Sequence, residues 1–342
     1  MMIIGLTYDL RSEYLAMGYN EEETAEFDRD DTIIAIERAL YALGHQTDRI
    51  GHARKLTQRL VLGDRWDIVF NIAEGLKGIG REAQVPAILD LYDLPYTFSD
   101  PLVMSLTLHK GRTKQVIRQC GFPTPDFSVV DLPEDIKNIS FDPPYFIKPI
   151  AEGTGKGITG QSVIWDRKRL KVGCAGLIES YDQPVLVEKY LCGREFTVGI
   201  TGTGPEAQIL GTLEVILLEA AEKGVYSYSN KENCEGVVEY RLAPSDDPSV
   251  KEAEGIALST WRALGCRDAG RVDLRCDEDG RPYFLEVNPL AGLHPQHSDL
   301  PILCMHLGIP FVHLIHRILA SASKRISKGG NAGKKNAHSN HP

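Results

Sequence analysis

A mixed α/β (α+β) chain, built from a parallel α/β layer and two following α+β parts, is predicted by three observations. The first hundred residues alternate short apolar runs with amphipathic segments, as in strand–helix–strand units. A glycine-rich turn follows a strand near the middle of the chain, and a hairpin with one strongly polar face lies near residue 280. At 342 residues and 42% hydrophobic, the chain can bury substantial cores in two or three domains. Its formal net charge of -9 argues against general nucleic-acid binding, which needs a basic surface. The 7 cysteines are scattered and contain no C-x-x-C pair, so neither a disulfide framework nor a zinc site is expected, and a reducing cytoplasm fits best. The start MMIIGLTYDL lacks a basic leader, and no apolar run reaches membrane-spanning length, so neither export nor membrane insertion is expected.

In chain order, residues 2–7 read as a buried strand and 9–29 as a polar loop. Residues 32–43 form an amphipathic helix stopped by Gly44, and strands follow near 46–50 and 66–72. The stretch FNIAEGLKGIGREAQ from residue 70 is a glycine-bearing loop after a strand, where open α/β sheets place ligands, although an ordinary connection has the same composition. A helix at 82–92 completes the first layer, placed at residues 1–100. The central part, 101–187, opens with helices at 102–109 and 110–120, and a strand at 145–149 leads into IKPIAEGTGKGITG. There, three glycines and a threonine follow Lys148 and surround Lys156, so backbone N–H groups and ammonium groups can close over a polyphosphate. The P-loop spacing is absent, and a plain glycine-rich hairpin competes with this reading. Lys110 and Lys148 are the other phosphate candidates.

The last folded part, 188–320, follows strand PVLVEKY with strand FTVGITG, a strand at 208–215, a long loop at 222–240 and a helix at 250–264. An antiparallel sheet with helices on one side is expected. The long loop, with Lys231, suits a cover over a site, and a floppy surface excursion is the competing account. A helix at 309–320 packs the C-terminus, and 321–342 reads as a disordered basic tail.

The chemistry concentrates in AGRVDLRCDEDGRPYFLEVNPLAGLHPQHSDLP. Arg271, Asp273 and Arg275 alternate with apolar residues on one strand, as Glu286 and Asn288 do on the next. A two-residue turn at Asp279-Gly280 would set Asp273 opposite Glu286 and Arg271 opposite Asn288. Two facing carboxylates repel unless neutralised, and a hard divalent cation such as Mg²⁺ would neutralise them. A solvated polar face is the competing account, and a longer turn would shift the register.

Taken together, LPYTFSD, LHKGRTK, IKPIAEGTGKG, EKYLCGREFTVGI, GCRDAGRVDLRCDEDGRPYFLEVNPLAGL and HSDLP resemble, in order and spacing, the D-alanine:D-alanine ligase family of ATP-grasp enzymes, from about residue 60 to 320. The resemblance implies an ATP-grasp fold with ATP clamped between two sheets. It also implies an ATP-dependent ligase that forms a C–N bond through an acyl phosphate, for cell-wall peptidoglycan precursors. It assigns Lys110, Lys148, Glu152, Thr154 and Lys231 to the phosphates and their covering loops. Glu188, Lys189 and Leu191 are assigned to the adenine pocket and Glu195 to the ribose. Asp273, Glu286 and Asn288 match the magnesium ligands, with manganese an acceptable substitute. Arg271 matches the residue facing the reacting carboxylate, the Gly292 amide an oxyanion contact, and Ser298 and Glu13 the substrate loops. Small amino-acid substrates are implied, and a homodimer is allowed.

The chain departs from the family pattern around the substrates. The usual G-G-x-S-x-E-[RH] reads TYDLRSEYLAMG, a lid tyrosine is replaced by Glu232, a histidine by Asn71, and N-T-x-P-G-x-T by NPLAGLHP. ATP chemistry is therefore expected more firmly than D-alanine itself. The alternatives are ligation of another amino acid or small peptide, and a nucleotide-binding module without ligation.

Overall fold

The structure, a computed structural model, describes residues 1–218 and 238–336. Three sheets follow one another along the chain. The first is parallel, in the order β2-β1-β3, with β1 at Ile3–Thr7, β2 at Gln46–Arg49 and β3 at Ile68–Asn71. The polar stretch after β1 contains a short helix, α1 (Arg11–Ala16), where only a loop was expected. Helix α2 (Asp30–Ala42) is the expected amphipathic segment. Helix α3 (Ala53–Val61) was not expected, because only Leu56 and Leu60 mark its buried face. Helix α4 (Gln84–Leu91) closes the layer.

Helices α5 (Pro101–Leu108) and α6 (Lys110–Gln119) lead into an antiparallel sheet ordered β4-β7-β5-β6. Its strands are β4 (Phe127–Val130), β5 (Tyr145–Pro149), β6 (Val163–Ile164) and β7 (Val185–Lys189). Helix α7 (Arg167–Tyr181) backs it and escaped the sequence pattern, since glycines at 173 and 176 dilute its apolar stripe. Gly173 earns its place by packing: a Cβ there would lie 2.7 Å from the Ile147 side chain on β5.

The third sheet is antiparallel, β10-β9-β8-β11-β12. It comprises β8 (Glu195–Thr201), β9 (Gln208–Leu217), β10 (Val238–Leu242), β11 (Ala269–Cys276) and β12 (Pro282–Asn288). Helix α8 (Pro248–Leu264) covers one face, where Trp261 packs in one core with Phe196, Val198, Val272, Leu274 and Phe284. Helices on one side only were expected, but the opposite face is covered too. Helix α9 (Asp299–His306) lies on it, admitted by glycines: a Cβ on Gly199 would come within 2.4 Å of Leu303. This close approach brings Asp299, at the start of α9, beside Arg271 of β11, with Arg271 Nε 3.5 Å from the Asp299 carboxylate.

The terminal helix α10 (Phe311–Asn336) continues well past residue 320. Leu314, Ile315, Ile318, Leu319 and Ala322 share a core with Ile33, Ile36 and Leu40 of α2, so this helix returns to the first layer. The expected basic tail therefore does not begin at 321: Ala322 is buried, Lys324 pairs with Glu206 at 2.7 Å, and Arg325 pairs with Asp268. Basic residues hid an amphipathic helix whose apolar positions are spaced for α2.

Candidate active site

The β11–β12 hairpin carries the expected pairing by a different route. Asp273 lies opposite Glu286 and Arg271 opposite Asn288. The turn is one residue longer than expected: Glu278, Asp279 and Gly280 loop out while the Asp277 N–H donates to the Arg281 carbonyl at 3.0 Å, with Gly280 at φ +81°. That turn pairs Leu274 with Phe284, a register that alone would set Leu285 opposite Asp273. A bulge at Leu285 absorbs the extra residue and returns Glu286 to its place. It also leaves Leu285 lining the same cleft as Glu286, rather than on the apolar face predicted from simple alternation.

This face opens on a cleft of about 710 Å³ between the second and third sheets. Its lining includes Lys148 of β5, Glu188 and Lys189 of β7, Leu191, Glu195 and Thr197 of β8, and Arg271, Asp273 and Glu286. Lys110 and Lys148 place their ammonium groups 3.7 and 3.6 Å from the Glu286 carboxylate. Lys148 also meets Glu188 at 3.2 Å, and Lys114 meets Glu188 at 2.5 Å. Burial opposes ionisation of Glu188, but Lys114 and Lys148 outweigh it and hold the carboxyl below its ordinary value. Burial likewise opposes the Lys148 charge, and Glu188 with Glu286 overcome it. For Lys110, burial prevails over Glu286 and lowers the ammonium pKa. Asp273 accepts a hydrogen bond from Thr197 Oγ1 at 2.9 Å and one from Asn288 Nδ2 at 3.2 Å, and it pairs with Arg271. Arg275 reaches Glu195 at 3.4 Å and stacks over Tyr190.

A larger cavity of about 1420 Å³ adjoins this cleft and shares Arg271 with it. Gly292, Ser298, Thr154 and Asn288 line it. Ser298 Oγ accepts from the His294 N–H at 3.0 Å and lies so near Gly292 that a Cβ there would be 2.7 Å away. The Thr154 hydroxyl is buried without a hydrogen-bond partner. Glu152 does not line the first cleft: its carboxylate takes Lys156 at 2.5 Å and Gln183 at 2.7 Å, while its carbonyl accepts from Lys110 at 2.6 Å. Lys156 is likewise turned away, to Glu152 and Glu26, so the glycine-rich turn offers its backbone rather than this ammonium group. Glu13 stands apart, paired with Lys55 of α3 at 2.7 Å and absent from the lining of the cavity. Lys231 and Glu232 lie outside the described residues.

Three participants escaped the sequence reading. Lys114 lies one helical turn after Lys110, a spacing that puts both on one face and was legible. Asp299 stands in the HSDLP motif, with nothing in the sequence to connect it to Arg271. Glu26 carries no motif, yet it pins the glycine-rich turn to the first layer: the Gly153 N–H donates to it at 2.6 Å and Arg81 pairs with it at 2.8 Å.

The chain resembles known proteins in sequence and in fold. The family model described as D-ala D-ala ligase C-terminus matches residues 116–320. The D-alanine–D-alanine ligase of Syntrophotalea carbinolica is 34% identical over 294 residues, 85% of this chain and 90% of its own. That of Bordetella petrii is 32% identical over 249 residues, 72% of this chain and 74% of its own. Among solved structures, the D-alanine–D-alanine ligase of Bacillus anthracis complexed with ATP superposes with a TM-score of 0.73 at 20% identity, covering 96% of this chain and 100% of that one, and so shares the fold. The chain belongs to the D-alanine–D-alanine ligase family of ATP-grasp enzymes.

Proposed function

We propose that the protein is an ATP- and Mg²⁺-dependent carboxylate–amine ligase that joins two amino acids, with D-alanine–D-alanine ligation for peptidoglycan precursors as the leading named activity. The observation that carries this is that Lys148, Asp273, Glu286 and Arg271 line one cleft, with Lys110 3.7 Å from Glu286 and Arg271 shared with the adjoining cavity. Nucleotide phosphates fit against Lys110 and Lys148, with the base toward Glu188, Lys189 and Leu191 and the ribose toward Glu195. Asp273, Glu286 and the Asn288 carbonyl form an all-oxygen donor set suited to Mg²⁺, which prefers one or two carboxylates and completes its shell with water and phosphate. Among the described residues no group of three His, Cys, Asp or Glu side chains is placed to hold a metal by itself, so the amide and the nucleotide complete the set. When bound, the ion offsets the charge of the transferred phosphoryl group.

A donor carboxylate oxygen attacks the γ-phosphorus, ADP leaves, and an acyl phosphate results; Lys110 and Lys148 stabilise the charge spread over the phosphoryl oxygens. A neutral acceptor amine then attacks the carbonyl carbon, with Arg271 and the Gly292 N–H offered to the oxyanion. Collapse expels inorganic phosphate, and the nitrogen loses a proton as the amide forms. The expected result with ATP, Mg²⁺ and candidate amino acids is one ADP and one phosphate per condensed product, identified by mass. ATP binding without amino-acid-dependent ADP release would instead support a nucleotide-binding module.

A further inference from the structure

The turn between β12 and α9 is built around one histidine. His294 and Ser298 exchange two hydrogen bonds: the His294 N–H donates to Ser298 Oγ at 3.0 Å, and the Ser298 N–H to the His294 carbonyl at 3.1 Å. Inside this turn the Gln296 and His297 N–H groups both donate to His294 Nδ1, each at 3.2 Å. Nδ1 therefore keeps its lone pair, and the proton of the neutral ring belongs on Nε2. That nitrogen faces the start of α2, 3.2 Å from the Asp31 carboxylate and 3.1 Å from Arg29 Nη2. Arg29 and Asp31 pair with each other at 2.7 Å. His297 packs against the ring with centroids 4.5 Å apart, and these three are the charged or titratable groups that face it among the described residues. The family pattern N-T-x-P-G-x-T ends in threonine where this chain has His294.

The ring joins the N-terminal layer to the wall of the larger cavity, which His294, Gly292 and Ser298 line together. Ser298 immediately precedes α9, and Asp299 in the first turn of that helix meets Arg271. A second proton can go only to Nδ1, where the two backbone N–H groups already point. An imidazolium cannot keep those bonds, so on protonation the turn loses the acceptor at its centre. Burial, with His297 and Arg29, opposes that proton and outweighs Asp31, so the imidazole pKa lies below its ordinary value. On the ligase reading above, we infer that neutral His294 is a positioning residue for the amino-acid substrate: it ties the turn carrying Ser298 and Asp299 to α2, and taking up a proton releases that turn.

The experiment uses the full chain and combines nitrogen NMR of the imidazoles with steady-state ADP release, with D-alanine or whichever amino acid releases ADP fastest. The wild-type spectrum at pH 8 is expected to show the His294 ring, assigned by its absence in His294→Asn, with a bare Nδ1 and a protonated Nε2. His294→Leu, which has no acceptor, is expected to raise KM for the amino acid at least about tenfold while KM for ATP changes less than about threefold. Asn Oδ1 can accept from the same backbone N–H groups but does not titrate, so His294→Asn should recover at least about threefold of that loss. About one unit below the His294 midpoint found by NMR, the wild-type KM for the amino acid should have risen at least about threefold relative to that of His294→Asn. Ionisation of the acceptor amine affects both enzymes alike and cancels. A proton on Nδ1 at pH 8, equal KM in the Leu and Asn variants, or a flat wild-type to Asn ratio across the titration overturns the positioning inference while leaving the ligase intact. The wild-type and Asn measurements stand even where the Leu variant fails to fold. No ADP release by the wild type with any amino acid overturns the ligase reading, and this inference with it.

Discussion

Asp273 faces Glu286 across β11 and β12 because the bulge at Leu285 cancels the extra residue in the Glu278–Gly280 turn. Without compensation, Leu285 would face Asp273 and the pair of carboxylates would be lost. The pairing places a charge where two lysines and Arg271 already converge, and on the ligase proposal it serves phosphate chemistry. Glu286→Gln should therefore cut ligase turnover by at least about a hundredfold, the scale of deleting one electrostatic contact to a transition state. Its thermal midpoint should stay close to wild type, because the side chain is partly exposed and the amide keeps its shape. Near-normal ADP release would remove Glu286 from the catalytic set.

The sequence exposed the hairpin because β-strand alternation displays polar side chains at a fixed spacing, as with Arg271, Asp273, Glu286 and Asn288. Partners from distant elements had no such signal. Glu26 reaches the glycine-rich turn across 127 residues, and Asp299 meets Arg271 only because Gly199 admits α9. Helix α7 was hidden by the very glycine that lets it touch β5, and α10 by basic residues that make its pattern look like a tail. Patterns within one element were legible, whereas contacts fixed by close packing between elements were not.

The Gly199 contact is testable. Gly199→Val forces a branched side chain into Leu300 and Leu303, an overpacking that should cost about 1–3 kcal/mol in urea unfolding. Moving α9 also separates Asp299 from Arg271, so KM for the amino acid should rise in folded enzyme while KM for ATP changes less. Equal effects on both substrates would count against this route.

Stability should depend on pH with a particular sign. Asp28 and Glu82 ionise near pH 7 when folded, against ordinary values of 3.8 and 4.5, so the folded state binds more protons between those limits. The contribution of these two carboxyls to stability then rises as pH falls from 7 toward 5, whereas His45, His52, His109 and His294, whose imidazoles burial holds below their ordinary pKa, act the other way as pH falls through the histidine range. The groups facing Glu82 are Arg81, Glu26 and Lys110, and those facing Asp28 are Asp9, Asp31 and Thr32. Glu188 acts oppositely, because its lowered pKa gives stability that disappears only as pH falls below the ordinary carboxylate range. Glu74→Gln/Glu82→Gln should raise the thermal midpoint at pH 8 by at least about 2 °C. A gain in midpoint on this double substitution that is as large at pH 5.5 as at pH 8 contradicts this assignment.

Gly292 and Ser298 offer a test that separates a donor to the oxyanion from a bystander. A methyl group on Gly292 would sit 2.7 Å from Ser298 Oγ, which is held there by the His294 N–H. Gly292→Ala must therefore displace either the hydroxyl or the backbone whose amide the proposal offers to the oxyanion. A displacement of the amide weakens a contact made chiefly in the transition state, so kcat should fall at least about tenfold with little change in KM for ATP. Ser298→Ala removes the obstructing oxygen. If the loss in Gly292→Ala comes from that collision, the double variant Gly292→Ala/Ser298→Ala should recover part of kcat and show a coupling larger than about 0.5 kcal/mol between the sites. Additive losses would mean that Ser298 acts on substrate independently of the Gly292 amide, and an unchanged kcat in Gly292→Ala would remove this amide from the oxyanion site.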